Sequence, residues 1–454
     1  MDFAGKKVMV VGAGVSGFAV ARLAKRYGAV VYLSDAKKEA DIKYDLSELR
    51  DLGVIFCLGQ QDTEFSKKMD LVVVSPAVPI GIPLLQSARA AGIPVISEVE
   101  LAYQLAKSPI YAITGTNGKT TTTTLLGELM KSVCGHVGIG GNIGTPLCEE
   151  AVRIGDKGCL VAEISSYQME ASEKFHPAIA VVLNITPDHL ARHKTMEAYQ
   201  QAKEKLFSQQ TGEDFLILNY DDLHTREMAA RAKSQVLFFS RKEILSEGAF
   251  VEDGFLVIQW QQKKTVICRV SELQIQGAHN VENALAAMLA AWLAGVDAAH
   301  IKAVLQSFQG VEHRIEPVRK YHGVMYYNDS KATNPEAAIK ALEAFEGPIV
   351  LLAGGHDKNT GLEEMMELVC KKVKDLILLG DAAARFKEAA QKAGFAADHI
   401  YDAGYSMEKA VELAAQLAES SQVVLLSPAC ASFDMFDDYE ARGRKFKEIV
   451  QGLC

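Results

Sequence analysis

Short apolar runs alternate along the chain with longer segments in which apolar residues recur every three or four positions. Over residues 6 to 100 the runs KKVMVVGAG, AVVYLSDA, LVVVSPAVP and IPVIS are separated by helix-period stretches such as VSGFAVARLAKRYG. Strands that alternate with helices in this way predict a parallel sheet covered by helices. A second cycle opens at PIYAITGTNGKT, passes through CLVAEISS, IAVVLNITPDH and DFLILNYDD, and closes on the alanine-rich helix VENALAAMLAAWLAG. A third begins after SFQGVEHRIEP, with GVMYYNDS, GPIVLLAGG, DLILLGD and QVVLLSPA as strands and MEKAVELAAQLAES among its amphipathic helices. The pattern predicts an α/β chain of three domains, over residues 1–97, 98–310 and 311–454. The strands of the third cycle stop at Gly, Ser or Asp. Ligands of open α/β sheets bind beyond the carboxyl ends of the strands, so chemistry is sought at those stops.

A length of 454 residues exceeds what one core supports, which agrees with several domains. With 49% hydrophobic and 23% charged residues, the composition is that of a folded globular chain. The formal charge of −9 argues against broad nucleic-acid binding, which needs a cationic surface. Any polyanionic ligand must then be held by local donors. No apolar run reaches the roughly 18 residues that cross a bilayer, and Met1-Asp2-Phe3 leads directly into a strand-like run. Neither membrane insertion nor export is expected, and the cytoplasm is the expected location. The eight cysteines form no C-x-x-C pair and read as small buried hydrophobes in a reducing compartment.

The most informative stretch is TGTNGKTT, Thr114 to Thr121, between a strand-like run and a helical one. Glycines there let backbone N–H groups curl around phosphate oxygens at a helix start. Lys119 adds a point charge, and the Thr120 hydroxyl can ligate Mg²⁺. The bland alternative is a strand-to-helix turn with an exposed lysine. Ile113 stands where the commoner phosphate loop has its first glycine. A second pattern, Gly12-x-Gly14-x-x-Gly17, follows the first strand, and Asp35 ends the next one as a ribose-binding carboxylate would. Taken alone it points to NAD. Nothing downstream resembles a hydride-transfer site, so a different diphosphate is expected there. A tight turn with no ligand stays open.

Glu163 ends CLVAE and His189 ends IAVVLNITPDH, so adjacent strands would bring both to the lip of the phosphate loop as Mg²⁺ ligands. Either could instead be an ordinary polar strand terminus. Lys203, in YQQAKEKLF, reads as a solvated helix charge or as an amine near the metal, whose charge would have to be removed. Asp329 to Pro335 supplies a cation and several donors at a strand end, with Asn334-Pro335 fitting a helix cap. Ser427 to Gly443 is a second donor-rich strand end, and either segment alone also fits plain turn chemistry. Together with Lys358 in GGHDKN, these two segments suit a small polar acid.

In order, GTNGKTT, EISSYQ, NITPDHL, YQQAK, GAHNVENALAA, EHR and NDSKATN resemble the motifs of the Mur ligases, and the resemblance covers essentially the whole chain. It implies Rossmann-like first and third domains around a central P-loop-type ATPase sheet. It also implies ATP and Mg²⁺, with Gly115, Thr116, Asn117, Gly118, Lys119, Thr120, Thr121, Asn283, Arg314 and Asp329 at the ATP site. Glu163 and His189 would be metal ligands with Thr120, and Lys203 would match a lysine that is carbamylated, its anionic carbamate lifting the repulsion noted above. Lys119, Glu163, His189 and Lys203 would form the catalytic group.

Within the family, NDSKATNP and LLSPACASFDMF look like the D-glutamate-adding branch, whose substrates would be UDP-N-acetylmuramoyl-L-alanine, D-glutamate and ATP. Val15, Ser16, Asp35 and Lys37 would then surround the uridine diphosphate, with Asn142 nearer the sugar. His313, Thr333, Lys358, Ser432, Phe433 and Tyr439 would receive D-glutamate. The resemblance also implies a monomer. Ala191 departs from the pattern, standing where the family often has Asp. The competing readings are another ligase of the same group, including a folylpolyglutamate-type enzyme, a dinucleotide-dependent oxidoreductase built on GAGVSG, and a non-catalytic nucleotide-binding module.

Overall fold

The computed structural model describes residues 3–453, apart from Lys43, Gln276, Lys358 and Asn359 and the side chains of Leu190, Ala191 and Glu336. Among the described residues the strands form three sheets. The first contains β1 (Lys7–Val11), β2 (Val30–Asp35), β3 (Ile55–Leu58), β4 (Leu71–Val74) and β5 (Val95–Ser97). It is parallel throughout, in the order β3-β2-β1-β4-β5. β4 is apolar and buried along its whole length, because helices cover both faces of such a sheet. The order reverses beside β1, which opens a crevice between the loops that follow β1 and β4.

The second sheet contains β6 (Ile110–Thr114), β7 (His136–Gly141), β8 (Gly158–Glu163), β9 (Ile179–Val182), β10 (Phe215–Asn219), β11 (Gln235–Ser240), β12 (Gly248–Glu252), β13 (Phe255–Trp260) and β14 (Lys263–Arg269). Their order is β14-β13-β12-β11-β10-β9-β6-β8-β7. The strands from β7 to β12 pair in parallel, and β13 and β14 extend the sheet as antiparallel hairpins. β6 lies between β8 and β9, so the loop after β6 starts at a switch point of the strand order.

These two sheets share a core. Ala19 and Leu23 of the helix Val15–Arg26, Val99 and Leu101 of Glu98–Leu105, and Leu147 and Ala151 of Leu147–Ile154 are buried in one apolar cluster. At about 1.5–3 kcal/mol for each large side chain buried, this cluster explains why the first two sheets form a single compact unit, Met1–Leu273 with His279–Gln306.

The second unit, Gln274–Ala278 with Ser307–Cys454, is built on β15 (Glu316–Tyr321), β16 (Val324–Asn328), β17 (Ile349–Gly354), β18 (Val373–Leu379), β19 (Ile400–Asp402) and β20 (Val423–Leu426). Their order is β15-β16-β20-β17-β18-β19, parallel except for β15. β20 inserts between β16 and β17, so three strand ends converge there. Asn334 caps the helix Pro335–Glu343 by accepting the Ala337 N–H at 2.8 Å, as its place before Pro335 predicts. Among the described residues, no helix is long and apolar enough to cross a membrane.

Candidate active site

The loop after β6 has the backbone form that a phosphate cradle needs. Gly118 adopts φ +85° and caps the helix Lys119–Met130, and a Cβ there would collide with Asn283 Oδ1. A side chain is thus barred by both backbone conformation and space. The first helical turn is Lys119-Thr120-Thr121-Thr122, whose threonines are buried, and its leading N–H groups have no partners within the helix. The loop is held from behind. The Thr116 N–H donates to the Asn184 carbonyl at 2.9 Å, and the Asn117 N–H to Asn184 Oδ1 at 2.8 Å. Thr122 Oγ1 lies 3.2 Å from Asn283 Oδ1, and Asn283 Nδ2 donates to Asn280 at 3.0 Å.

Two lysines converge on this loop. Lys119 Nζ donates to the carbonyls of Gly115 at 2.8 Å and Thr116 at 2.7 Å, and Lys203 Nζ donates to the same Gly115 carbonyl at 2.8 Å. Lys203 leaves only 2% of its surface exposed, so the open alternative resolves toward the buried amine. Burial, and then the charge of Lys119, hold its amine well below the ordinary lysine range, against the opposing pull of Asp188 and Glu163. Its Nζ also lies 4.8 Å from the centre of the Tyr199 ring.

Tyr199 escaped the sequence reading. It is 1% exposed, its hydroxyl lies 3.1 Å from Thr116 Oγ1, and its ring lies 6.2 Å from that of His189. Its signal was the four-residue spacing to Lys203, which puts both on one face of the helix Met196–Glu204.

Glu163 ends β8 with 1% exposure. Its Oε1 accepts from Asn142 Nδ2 at 2.8 Å, and its Oε2 is buried with no hydrogen-bond partner. Such an oxygen carries a desolvation cost unless a cation meets it. The donor set therefore fits a hard divalent ion, with a carboxylate oxygen, threonine hydroxyls at the helix start and an imidazole close by.

His189 differs from expectation. β9 stops at Val182, and His189 lies seven residues later at φ +55°, just before the short helix Leu190–His193. β8 and β9 are not neighbours either, since β6 separates them. Pro187 and the turn it sits in end the apolar run before the histidine. Partial burial, with Lys119 and Lys203 adding to it, holds the His189 imidazole below its ordinary pKa against the raising effect of Asp188. Ala191 lies in that helix, its side chain outside the described residues.

The first sheet carries a cleft of about 440 Å³, lined by Gly12, Asp35, Lys37, Tyr44, Ser75 and Val78 among others. Gly17 lies on the following helix where a Cβ would collide with the Gly12 carbonyl, so the third glycine permits close packing. Asp35 accepts the N–H of Ala13 at 2.8 Å and of Lys37 at 2.9 Å, tying the two loops together. Val15 and Ser16 begin the adjoining helix, and Val15 is 53% exposed. Asn142 lies elsewhere, past the end of β7 beside Glu163.

In the second unit, Asp329 follows β16 and is buried. It accepts from Ser427 Oγ at 2.8 Å and from the Ile315 N–H at 3.2 Å, and burial pushes its carboxyl up to about 7 despite the Ser427 hydroxyl and the nearby Arg314. Arg314 Nε is buried without a partner. His313 has φ +64°, lies 2.8 Å through Nδ1 from Asn328 Nδ2, and buries an Nε2 that makes no hydrogen bond and lies 3.6 Å from Glu312 Oε1. Its ring meets that of Tyr439 edge-on at 6.1 Å.

Ser432 is buried, Thr333 is half-buried, and Phe433 is 63% exposed; Lys358 lies outside the described residues. Sequence reading missed Arg442, 3% exposed, which donates to Ser330 Oγ at 2.9 Å and to the carbonyls of Ser330, Cys430 and Ala431. It joins the segment after β16 to the segment after β20.

Comparison with known proteins falls on all of these elements. Residues 6–97 match the N-terminal domain of MurD-like Mur ligases, 113–291 the Mur ligase middle domain, and 313–430 the Mur ligase glutamate ligase domain. A UDP-N-acetylmuramoylalanine–D-glutamate ligase of Caldanaerobacter subterraneus subsp. tengcongensis is 47% identical across 100% of both chains. A ligase of the same name from Pelotomaculum thermopropionicum is 47% identical over 100% of this chain and 99% of its own. In fold, the chain is similar to the MurF ligase of Thermotoga maritima solved in complex with ADP, with a TM-score of 0.57 and 18% identity over 99% of this chain and 96% of that one. On this full-length likeness, the chain belongs to the Mur ligase family.

Proposed function

We propose that the chain joins D-glutamate to UDP-N-acetylmuramoyl-L-alanine with ATP as co-substrate, through an acyl phosphate, as a step of peptidoglycan synthesis. The observation that carries the chemistry is the buried, unpartnered Glu163 Oε2 beside a phosphate cradle with two lysines. The choice of D-glutamate rests on the full-length relatives that bear that name.

An amide does not form from a free carboxylate in water without activation. The alanyl carboxylate attacks the γ-phosphorus of ATP, an oxygen–phosphorus bond forms as the bond to ADP breaks, and ADP leaves. Lys119 and the helix N-terminus stabilise charge on the transferring group. The D-glutamate amine then attacks the acyl carbon, giving a tetrahedral intermediate that expels phosphate as the amine loses its proton. Thr120, Glu163, His189 and the carbamate of Lys203 would hold Mg²⁺, which neutralises phosphate charge when bound. A carbamate on Lys203 would also turn a buried cation into an anion next to Lys119.

Asn283, Arg314 and Asp329 are assigned to ATP, and Val15, Ser16, Asp35 and Lys37 to the uridine diphosphate, with Asn142 toward the sugar. His313, Thr333, Lys358, Ser432, Phe433 and Tyr439 are assigned to D-glutamate. The same reading takes 1–97, 98–310 and 311–454 as the domains of a cytoplasmic monomer.

Phosphate release from MgATP with UDP-N-acetylmuramoyl-L-alanine tests it, comparing D-glutamate with L-glutamate, L-lysine and meso-diaminopimelate and weighing the product by mass. Turnover that depends on D-glutamate is expected. Turnover with another amine alone would overturn the choice of amino acid, and silence with all four would overturn the ligase reading.

A further inference from the structure

Arg192 lies in the short helix that follows His189, yet its guanidinium reaches toward the first sheet. Nη1 donates to the Pro76 carbonyl at 3.0 Å and to that of Ala77 at 3.4 Å, and Nη2 to the Val78 carbonyl at 2.9 Å. On the other side, Nε and Nη2 donate to Glu170 at 3.0 and 2.5 Å. All five N–H donors of the side chain are thereby engaged.

The carbonyls it holds belong to the loop after β4, and Ser75, Ala77 and Val78 of that loop wall the 440 Å³ cleft. The guanidinium plane lies 4.3 Å from the centre of the Tyr167 ring, and that ring lies 4.7 Å from His189. The Arg192 N–H also donates to the His189 carbonyl at 3.0 Å. One rigid plane thus contacts the wall of the cleft and the support of the histidine.

We infer that Arg192 is a positioning residue that couples filling of the cleft by the UDP-linked substrate to the placement of His189 at the phosphate loop. The inference rests on the functional reading above. When the cleft fills, any shift of the Pro76–Val78 carbonyls rotates the guanidinium, and with it the face on which Tyr167 stacks. Coupling of this kind is reciprocal: ATP bound at the loop strengthens the cleft by the same factor. Only arginine meets the requirement, because a lysine has three donors, no plane and no face to stack.

Isothermal titration of the full-length enzyme with a non-hydrolysable ATP analogue and Mg²⁺, with and without UDP-N-acetylmuramoyl-L-alanine, reads the coupling directly. The wild-type protein should bind the analogue about tenfold tighter when the second ligand is present. In Arg192→Lys and in Glu170→Ala, which frees one side of the guanidinium, that ratio should fall to within about twofold of one. The KM for the UDP-linked substrate should rise in both, with the KM for D-glutamate unchanged.

A wild-type ratio of one, or a ratio kept in both variants even if they melt earlier, overturns the inference. A wild-type protein that binds no UDP-linked substrate overturns the functional reading instead.

Discussion

Two glycine loops follow central strands in this chain, one after β1 and one after β6, and each leads into a 12-residue helix. Their backbone plans are alike, but their side chains differ. In the first, Asp35 ties its own loops together through Ala13 and Lys37, and the cleft beside it is largely apolar. In the second, two lysines share one carbonyl, a carboxylate oxygen is left without a partner, and the helix opens on buried threonines. In the first loop the carboxylate is already engaged by backbone N–H groups, which suits holding a ligand. The second is electrostatically incomplete, and completing it requires the charges of a reaction. A strand–glycine–helix turn supplies the N–H groups, and the flanking charges decide whether binding or chemistry follows.

The contrast is broken if the second loop tolerates loss of its charge. Lys119→Ala should lower kcat about 1000-fold, and a phosphate-release rate near wild type would make both loops mere binders. Glu163→Gln keeps shape but removes the anion. The Mg²⁺ concentration for half-maximal rate should rise by more than the roughly 10–100-fold that Asn142→Ala, the loss of a supporting partner, should cost. Equal effects of the two variants would place the metal elsewhere.

At the first loop, Asp35→Asn should raise the KM for the UDP-linked substrate about tenfold with kcat intact, the mark of uniform binding. A fall in kcat instead would move chemistry into the first sheet.

The remaining effect concerns a third carboxylate at a strand end. Burial pushes Asp329 up to about 7, above its unfolded value near 3.9. A raised folded pKa contributes stability that is complete below the unfolded pKa and is lost as pH rises through the folded one. Urea midpoints should therefore show Asp329→Asn gaining on wild type between about pH 4 and 7, by at most about 1.4 kcal/mol per pH unit. A constant difference across that window would mean that Arg314 keeps the carboxylate ionised throughout.

The glycine turn between β6 and its helix and the cap at Asn334 were legible in the sequence because each rests on local chemistry. β12, β13 and β14 were not singled out, because their alternating, partly polar pattern carries less signal than a fully buried parallel run. His189 was misplaced because an apolar run does not show where pairing ends. Lys203 and Arg442 each lie on a helix of polar average character, and their burial is decided by distant partners, Gly115 for one and Ser330 and Cys430 for the other. The role of Arg192 depends on carbonyls more than a hundred residues away, which no window of sequence contains.

β14 is the outer border of the nine-stranded sheet, and one of its sides pairs with no further strand among the described residues. An open border of this length is a template on which a second chain can add by backbone pairing. Here the strand begins Lys263-Lys264, both exposed, and carries the exposed Arg269 at its other end. Approaching borders of two molecules would bring like charges together at the ends of the strand. The same hairpin that widens the sheet thus guards a crowded solution of this protein against zipping into ribbons.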